Sequence, residues 1–419
     1  MKTFRFLAAS AIGTYFEFLD FMLFTFAAPI IAFNFFPKGD PALALIYTWG
    51  IFFVGFLVRP IGALFFGHIG DKLGSRYSLL ISMGLMSVAT ISMGFLPAYE
   101  RLGIFAPLCL MLLRAMQGFA FSAEYTGPST YLSLNSRKNL GLLSSITIVA
   151  MCLGQLSGSQ WISVLTSANT VETLPEWKWR MPFIISGILV GGVGILLRLN
   201  MPNLKPPKVV RVPFLSLMKS QKKETLVCIF LAMFVGIKSY ALFGYLPPHL
   251  QKFLGIPMHE SLNVASTATL VMMFSTLFAG WLSDKIGRAR VLHWSLIGMG
   301  IAALFAFRYI QDQNASMAFL WIYILAFGSG TYSGAIPALL AEVFKQEQRF
   351  SGSALSYNIG VSIGGATPLI MAVFSRYNQM IPGYFIAACS VIIMLILYFA
   401  NTKRDFRIDS GIVGSAPVR

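Results

Sequence analysis

Apolar runs of roughly 20 residues, each long enough to cross a bilayer as a helix, recur along almost the whole of this 419-residue chain. Inside lipid every backbone amide must be paired within its own structure, which makes a helix the natural form of such a run. Of all residues 56% are hydrophobic and 11% are charged, whereas a soluble domain has about 25% charged residues. The sequence therefore predicts an all-α membrane protein.

We predict twelve transmembrane helices, several of which begin or end near a proline, such as Pro37, Pro97, Pro175 and Pro257. Their approximate bounds are 5–33, 44–66, 78–98, 104–133, 141–167, 179–199, 224–252, 261–282, 291–311, 317–341, 352–375 and 381–401.

A polar, glycine-containing basic turn occurs twice, around Asp71 and again around Asp284, and these two residues are 213 positions apart. A turn that recurs once per half indicates a tandem duplication with two pseudo-symmetric lobes of six helices each, as in two-lobed transporters. The predicted division is an N-terminal lobe, a cytoplasmic linker loop, a C-terminal lobe and a cytoplasmic tail, at 1–199, 200–223, 224–401 and 402–419.

Small residues four apart support the same repeat, because they occur in both the fifth and the eleventh predicted helix. Such spacing lets helices approach closely. It has two interpretations, static packing or a smooth surface on which the lobes slide. The residues are Gly154 and Gly158 in one helix, and Ser356, Gly360 and Gly364 in the other.

The lysines and arginines of the turns and tails predict the orientation. One set of loops and tails holds 21 of them and the opposite set holds 7, which places both termini in the cytoplasm of a cell with the chain in the inner membrane. Six basic residues in 200–223 suit contact with anionic lipid headgroups. The net charge of +16 therefore does not indicate a nucleic-acid partner.

The positions of the cysteines and the absence of known catalytic motifs argue against an enzyme. All four cysteines lie within apolar runs, with no CxxC pair and no histidine cluster, so we expect no metal site. No nucleophile motif, nucleotide-binding loop or zinc-protease motif is present. We expect a monomer that needs no cofactor, with a small-molecule substrate and the lipid bilayer as partners.

Ionisable residues deep within transmembrane segments cost several kcal/mol unless they are paired or hydrated, so each is a candidate functional residue. Three acids and three bases occupy such positions, and we expect them to face one another across a central cavity. They are Glu17, Asp20 and Glu124, and Arg59, Arg114 and Lys238.

Glu17 and Asp20 are three residues apart and therefore share one helix face. Two carboxylates one turn apart in a low-dielectric cavity do not both ionise easily, which favours a proton on one of them. Either residue, with Glu124 next, is thus a proton-coupling candidate. The alternative, compatible with the first, is a fixed ion-pair brace in which Arg59 binds the two acids.

Arg114 is suited to clamp a carboxylate because its guanidinium is always charged and forks to two oxygens. Gln117 lies one turn further on and could add a hydrogen bond. Lys238 stands near the middle of the seventh helix, where it can bind a substrate anion or pair with an acid of the first helix. Arg59 and Arg114 have the same two alternatives, which are to bind substrate or to serve as the counter-charge of a buried acid. Aromatic candidates for the cavity wall are Tyr15, Tyr240 and Tyr245.

The segment 67–76 resembles the signature loop of the major facilitator superfamily, G-x-x-x-D-[RK]-x-G-[RK]-[RK], except that Ser75 replaces a basic residue. Segments 13–21, 59–67, 114–127 and 337–352 resemble the metabolite:proton symporters of that superfamily, which include proline/betaine, α-ketoglutarate, citrate and shikimate transporters. The resemblance implies alternating access and a cytoplasmic gate. The gate residues would be Gly67, Asp71, Lys72, Gly74, Arg76, Asp284, Lys285, Gly287, Arg288, Glu342 and Arg349.

The sequence thus predicts a secondary active transporter that imports a small carboxylate or zwitterionic metabolite, with a proton as the coupling ion. Lys238 is not part of the family pattern, which indicates an unusual substrate. Proton-driven efflux or antiport remains an alternative, because the direction of transport is not encoded in a motif. A receptor that binds but does not transport is a further alternative.

Overall fold

The computed structural model describes residues 2–73, 75–122, 139–199, 214–345 and 349–402, which form helices joined by short turns. In chain order the helices are α1 (Lys2–Phe26), α2 (Ala28–Phe35), α3 (Pro41–Leu57), α4 (Arg59–Leu73), α5 (Ser75–Phe95), α6 (Tyr99–Leu102), α7 (Phe105–Phe121), α8 (Leu140–Ser167), α9 (Glu176–Leu189), α10 (Ile195–Leu199), α11 (Phe214–Ser220), α12 (Lys222–Ser239), α13 (Leu246–Leu254), α14 (Met258–Ile286), α15 (Arg288–Gln311), α16 (Ala315–Val343), α17 (Arg349–Gly364), α18 (Thr367–Phe374) and α19 (Ile381–Thr402).

Each of the twelve predicted transmembrane segments coincides with one or two of these helices, which confirms the all-α fold class. Among the described residues, nine helices are long and apolar enough to cross a membrane, and a tenth is added if the bent pair α1 and α2 is one span. Of the fourth predicted segment, 104–133, the structure describes the helix Phe105–Phe121, and residues 123–133 lie outside the described part of the chain. The predicted linker loop contains a short helix, Phe214–Ser220, that the sequence did not lead us to expect.

Five predicted helices are each divided into two, and in four of them a proline follows the break, as Pro60 does between α3 and α4. The axis bends by 56° between α1 and α2, where Pro29 follows the break. A π-helical turn, Tyr240–Tyr245, precedes Pro247 in α13, and Pro368 follows the break between α17 and α18. Proline cannot donate a backbone hydrogen bond to the preceding turn, so the regular pattern is lost there.

The two halves of the chain pack their helices in the same pairs. In the first half α1 packs on α8, α3 and α5 pack on α7, and α5 packs on α9. In the second half α12 packs on α17, α14 and α15 pack on α16, and α15 packs on α19. Counted by predicted spans, these are the same four pairings, as a tandem duplication requires.

The small residues of the fifth and eleventh predicted helices lie inside the halves. A Cβ added at Gly154 would stand 2.2 Å from the backbone oxygen of Tyr15 on α1, and one added at Gly360 would stand 2.3 Å from that of Ile229 on α12. Gly364 packs in the same way against Gly236. These contacts support the static-packing interpretation rather than a sliding surface between lobes.

Candidate functional site

Asp20 of α1 is fully buried and accepts hydrogen bonds from three other helices of the first half. Its Oδ2 accepts from Thr90 of α5 at 2.6 Å and from Gln117 of α7 at 3.2 Å. Its Oδ1 accepts from Ser186 of α9 at 3.0 Å. All three donors are neutral, so this acid is held within a polar network rather than beside a cation.

Gln117 connects this acid to a buried arginine. The amide oxygen of Gln117 accepts a hydrogen bond from Nη1 of Arg114 at 2.9 Å. The guanidinium carbon of Arg114 lies 4.0, 4.5 and 4.9 Å from the ring centroids of Phe21, Phe24 and Phe52, which stabilises a cation held away from water. Its Nε and Nη2 atoms have no hydrogen-bond partner among the described residues.

Arg59, at the start of α4, is the second buried guanidinium of the first half. Its central carbon lies 5.4 Å from the ring centroid of Phe56 and 4.7 Å from that of Phe121. The hydroxyl of Tyr240, which belongs to the second half, interacts with it. The ring of Tyr240 also contacts Phe52 and Phe56, at centroid distances of 5.4 and 4.9 Å. The two halves of the chain therefore meet beside the arginines.

The expectation of mutual ion pairing between the buried acids and bases is not met for Asp20. The ion pairs found within the described part of the chain include neither Asp20 nor Arg59, because Asp20 faces α5, α7 and α9. Glu17 is buried, with 3% of its surface exposed. Glu124 lies outside the described residues. The proton-coupling roles of all three acids stay predictions.

Lys238 lies in the second half, at 2% exposure, and donates to three hydroxyl groups. Its Nζ is 2.9 Å from Oγ of Ser329 and 2.8 Å from Oγ of Ser333, both on α16, and 3.4 Å from Oγ of Ser239. A salt bridge to the first helix had been one expectation. No acid of the described residues pairs with Lys238, since its neighbours on α16 are neutral.

The hydroxyls of the other two candidate tyrosines form hydrogen bonds with side chains other than the arginines. The hydroxyl of Tyr15 donates to Ser157 of α8 at 3.0 Å, and the hydroxyl of Tyr245 is 2.7 Å from Nδ1 of His249. His249 lies deep within the protein rather than at its surface. It is 2% exposed and packs between Phe253 and Phe307, because it lies on the inner face of α13.

Asp284, at the end of α14, bridges the two halves. Its carboxylate accepts hydrogen bonds from the backbone N–H groups of Gly141 and Leu142, at 2.9 and 3.0 Å, in the first turn of α8. The same carboxylate lies 2.6 Å from Nη2 of Arg288, and that atom is 3.2 Å from Glu342. An anion at a helix N-terminus is favoured by the helix dipole. This end of the bundle is thus closed by an inter-half contact.

The remaining candidate gate residues are described in part. Gly287 has φ of +100° between α14 and α15, a conformation that suits glycine. Lys285 lies over the ring of Trp281 at 3.9 Å, Lys72 is exposed and Arg76 is half-buried. The other candidates lie outside the described side chains, namely Gly67, Asp71, Gly74 and Arg349.

A row of neutral polar side chains joins α8 to α14 across the interface, which sequence reasoning missed. Three hydrogen bonds of 2.9, 2.8 and 2.9 Å connect Gln155, Ser159 and Ser163 with Thr269, Ser266 and Asn263, respectively. The four-residue spacing of the three α8 side chains was visible in the sequence. Neutral hydrogen bonds join the halves without burying charge.

The opposite end of the bundle carries a second contact between halves that the sequence did not indicate. Asp40, before α3, forms an ion pair with Arg376, which follows α18. Its Oδ1 also accepts from the backbone N–H of Ala42 at 2.9 Å. This backbone hydrogen bond, and with it the charge of Arg376, lowers the pKa of Asp40. The carboxylate therefore stays ionised throughout the neutral range.

The chain is similar to known proteins over most of its length. The sequence profile of the Major Facilitator Superfamily matches residues 10–262 and 228–412. A protein of Staphylococcus haemolyticus (strain JCSC1435) with the provisional name proline/betaine transporter is 30% identical over 93% of this chain and 86% of its own length. A glycine betaine/proline/ectoine/pipecolic acid transporter of Dickeya dadantii (strain 3937) is 29% identical over 93% of this chain and 81% of its own.

Among solved structures, a D-xylose-proton symporter superposes with a TM-score of 0.76 over 95% of this chain and 98% of its own. The two sequences are 14% identical, so this similarity concerns the fold.

Proposed function

Because the chain belongs to the major facilitator superfamily, we propose that it is a secondary active transporter that carries a small zwitterionic metabolite together with a proton. Substrate would bind between lobes 1–199 and 224–401, which the linker 200–223 connects. The excess of basic residues on one side supports an inner-membrane location with both termini, including the tail 402–419, in the cytoplasm. No enzymatic step is part of this proposal.

The names of the relatives narrow the substrate class. Proline, glycine betaine, ectoine and pipecolic acid all combine a carboxylate with a cationic nitrogen, and the relatives are named as transporters of such compounds. Our wider expectation was a small carboxylate or a zwitterion. The proposal now favours the zwitterion, and organic acids without a cationic group become the second choice.

The surroundings of Asp20 are the main observation that supports proton coupling. A fully buried carboxylate with three neutral donors can exchange its proton without breaking an ion pair. When it is protonated, the network loses a charge that Arg114 otherwise balances through Gln117. The charge of Arg114 is then no longer balanced, which links proton binding to the electrostatics of the interface between the halves.

Uptake into proteoliposomes tests the proposal. The purified protein is reconstituted into vesicles. Radiolabelled proline or glycine betaine is supplied outside, with or without a proton gradient directed inward. We expect accumulation above equilibrium with the gradient and its loss with an uncoupler.

Accumulation that survives the uncoupler would contradict proton coupling. Loss of preloaded substrate, driven by the same inward proton gradient, would indicate antiport instead. Binding in thermal-shift assays with no flux under any gradient would indicate a receptor.

A further inference from the structure

Lys238 is a buried cation whose neighbours are hydroxyl groups rather than acids. The three ammonium hydrogens point to oxygens of Ser239, Ser329 and Ser333. The phenol ring of Tyr332 lies beside it, 5.9 Å from Nζ to the centroid. Its hydrogen bonds are thus satisfied, while its charge is not neutralised by any acid among the described residues.

The three serines can donate as well as accept. Each hydroxyl that accepts from Lys238 still has its own O–H group. The hydroxyl of Ser329 faces the sulfur of Met272 at 3.8 Å, which is a weak acceptor. No acceptor on a described residue is found for the O–H of Ser333 or Ser239. The cluster therefore combines one positive charge with hydroxyl groups that can donate to a further acceptor.

The cluster lies at the interface between the halves. Cys152 lies on α8 of the first half, and α8 packs on α16, which carries Ser329 and Ser333. The thiol of Cys152 also interacts electrostatically with Lys238. Both side chains are buried. In transporters built from two repeats, substrate sites lie at the interface between them and near the middle of the membrane.

We propose that Lys238, Ser329 and Ser333 form the subsite that binds the carboxylate of the substrate, opposite Cys152. This deepens the proposed function and rests on it for the identity of the cargo. The division of work follows from the contacts. Arg114 is already engaged by Gln117 and by three aromatic rings, and it balances the proton site. Lys238 therefore remains to balance the negative charge of the substrate carboxylate.

Cys152 offers a test that does not depend on knowing the substrate. A variant in which Cys109, Cys228 and Cys389 are replaced by alanine keeps Cys152 as the single thiol. Membranes are treated with an anionic methanethiosulfonate, which carries a sulfonate, or with a cationic one, which carries a trimethylammonium group. We expect the anionic reagent to react at least 5-fold faster, relative to free thiols.

Lys238→Met removes the charge and keeps the length of the side chain. In this background the preference for the anionic reagent should disappear. Lys223→Met is the matched control, because Lys223 lies in the first turn of the same helix and is exposed. It should leave the preference intact. Equal rates for both reagents with Lys238 present, or a Cys152 that neither reagent reaches, would overturn the proposal.

Uptake then separates this proposal from the wider function. For glycine betaine or proline, we expect Lys238→Met to raise the half-saturation concentration at least 10-fold, and Ser333→Ala to raise it several-fold. Half-saturation unchanged in Lys238→Met would refute the subsite while leaving proton-coupled transport standing. If the unaltered protein shows no uptake but the reagent preference follows Lys238, the anion subsite stands and the cargo assignment fails.

Discussion

Asp20 and Arg114 are connected through the side chain of Gln117, which donates to Oδ2 of the acid at 3.2 Å and accepts from Nη1 of the arginine at 2.9 Å. A direct ion pair would hold the acid charged at all times. An intervening amide transmits less of the field of the guanidinium, as the proposed proton-coupling role of Asp20 requires. The link also orients both groups, because an amide offers one donor side and one acceptor side.

Asp20→Asn should uncouple transport from the proton gradient. The variant keeps the size of the side chain and an oxygen that can accept from Thr90 or Ser186, but it cannot exchange a proton. We expect gradient-driven accumulation to fall at least 10-fold, whereas exchange of labelled for unlabelled substrate persists. Both are measured in the same proteoliposomes.

Ser186→Ala is the matched control for this variant. It removes one hydrogen bond to Asp20 and leaves the carboxyl group in place, so accumulation should remain pH-driven at a reduced rate. If Asp20→Asn still accumulates substrate when a proton gradient is applied, and an uncoupler abolishes this accumulation, another residue carries the proton. Glu17 would be the next residue to test.

Gln117→Leu should destabilise the protein and slow transport together. The substitution leaves Arg114 without its hydrogen-bond acceptor and Asp20 with one donor fewer, in a fully buried place. Each unsatisfied buried polar group costs about 1–3 kcal/mol. We expect a lower melting temperature in detergent, measured by intrinsic tryptophan fluorescence. Gln117→Glu, which retains an acceptor for Arg114, should be closer to the unaltered protein in stability while losing pH-driven accumulation.

Sequence reasoning located the buried charges but not their partners. The three-residue spacing of Glu17 and Asp20 gave their common helix face, because helical periodicity is local. The hydroxyls of Thr90 and Ser186 look in the sequence like any other small polar residues of a transmembrane helix. Which of them reach Asp20 depends on how α5 and α9 are rotated, and this is settled by packing over 70 and 166 positions of sequence separation.

The two ends of the bundle show the same contrast. The turn around Asp284 was found because it repeats a pattern, and the structure places its carboxylate against the first turn of α8. Its role in a gate stays a prediction. The ion pair of Asp40 with Arg376 joins residues 336 positions apart and follows no repeated pattern. The bend after Phe26 was likewise hidden, since Pro29 lies within one continuous apolar run.

Gly118→Ala should destabilise the first half by overpacking. A Cβ at this position would stand 1.8 Å from the backbone oxygen of Gly55, so α3 and α7 would have to separate. Overpacking of this kind costs about 1–3 kcal/mol. Gly84→Ala is the control, because no atom lies within 4 Å of its added Cβ, and it should leave the melting temperature unchanged or raise it. Equal effects of both substitutions would show that this close approach is not required.

Asp40→Asn should weaken the closure at the Asp40 end without removing the helix cap. The amide oxygen of asparagine can still accept from the N–H of Ala42, but the charge that binds Arg376 is lost. Since the pKa of Asp40 is lowered on folding, the contact is fully present above the usual value of 3.8 and is lost as the pH falls through the lowered value.

Acidification of the unaltered protein should therefore reproduce the effect of Asp40→Asn at the Asp40 end. The distance between spin labels at Tyr47 and Tyr377, both exposed, reports the opening. We expect a longer distance in the variant at pH 7, and in the unaltered protein only under acid conditions. A distance that is the same in both proteins at every pH would show that the ion pair does not hold this end closed.

Asp284→Asn should favour opening of the bundle at the Asp284 end. The carboxylate binds two N–H groups of α8 and Arg288 at once, and an uncharged amide retains one acceptor and no attraction to the guanidinium or the helix dipole. Spin labels at the exposed Phe278 and Ile146, on α14 and α8, should move apart, and turnover should fall several-fold with little change in half-saturation. Arg290→Met, which removes an exposed charge six residues further along the chain, should change neither quantity. If Asp284→Asn leaves both the label distance and the turnover unaltered, the contact with α8 is structural and does not control the opening of this end.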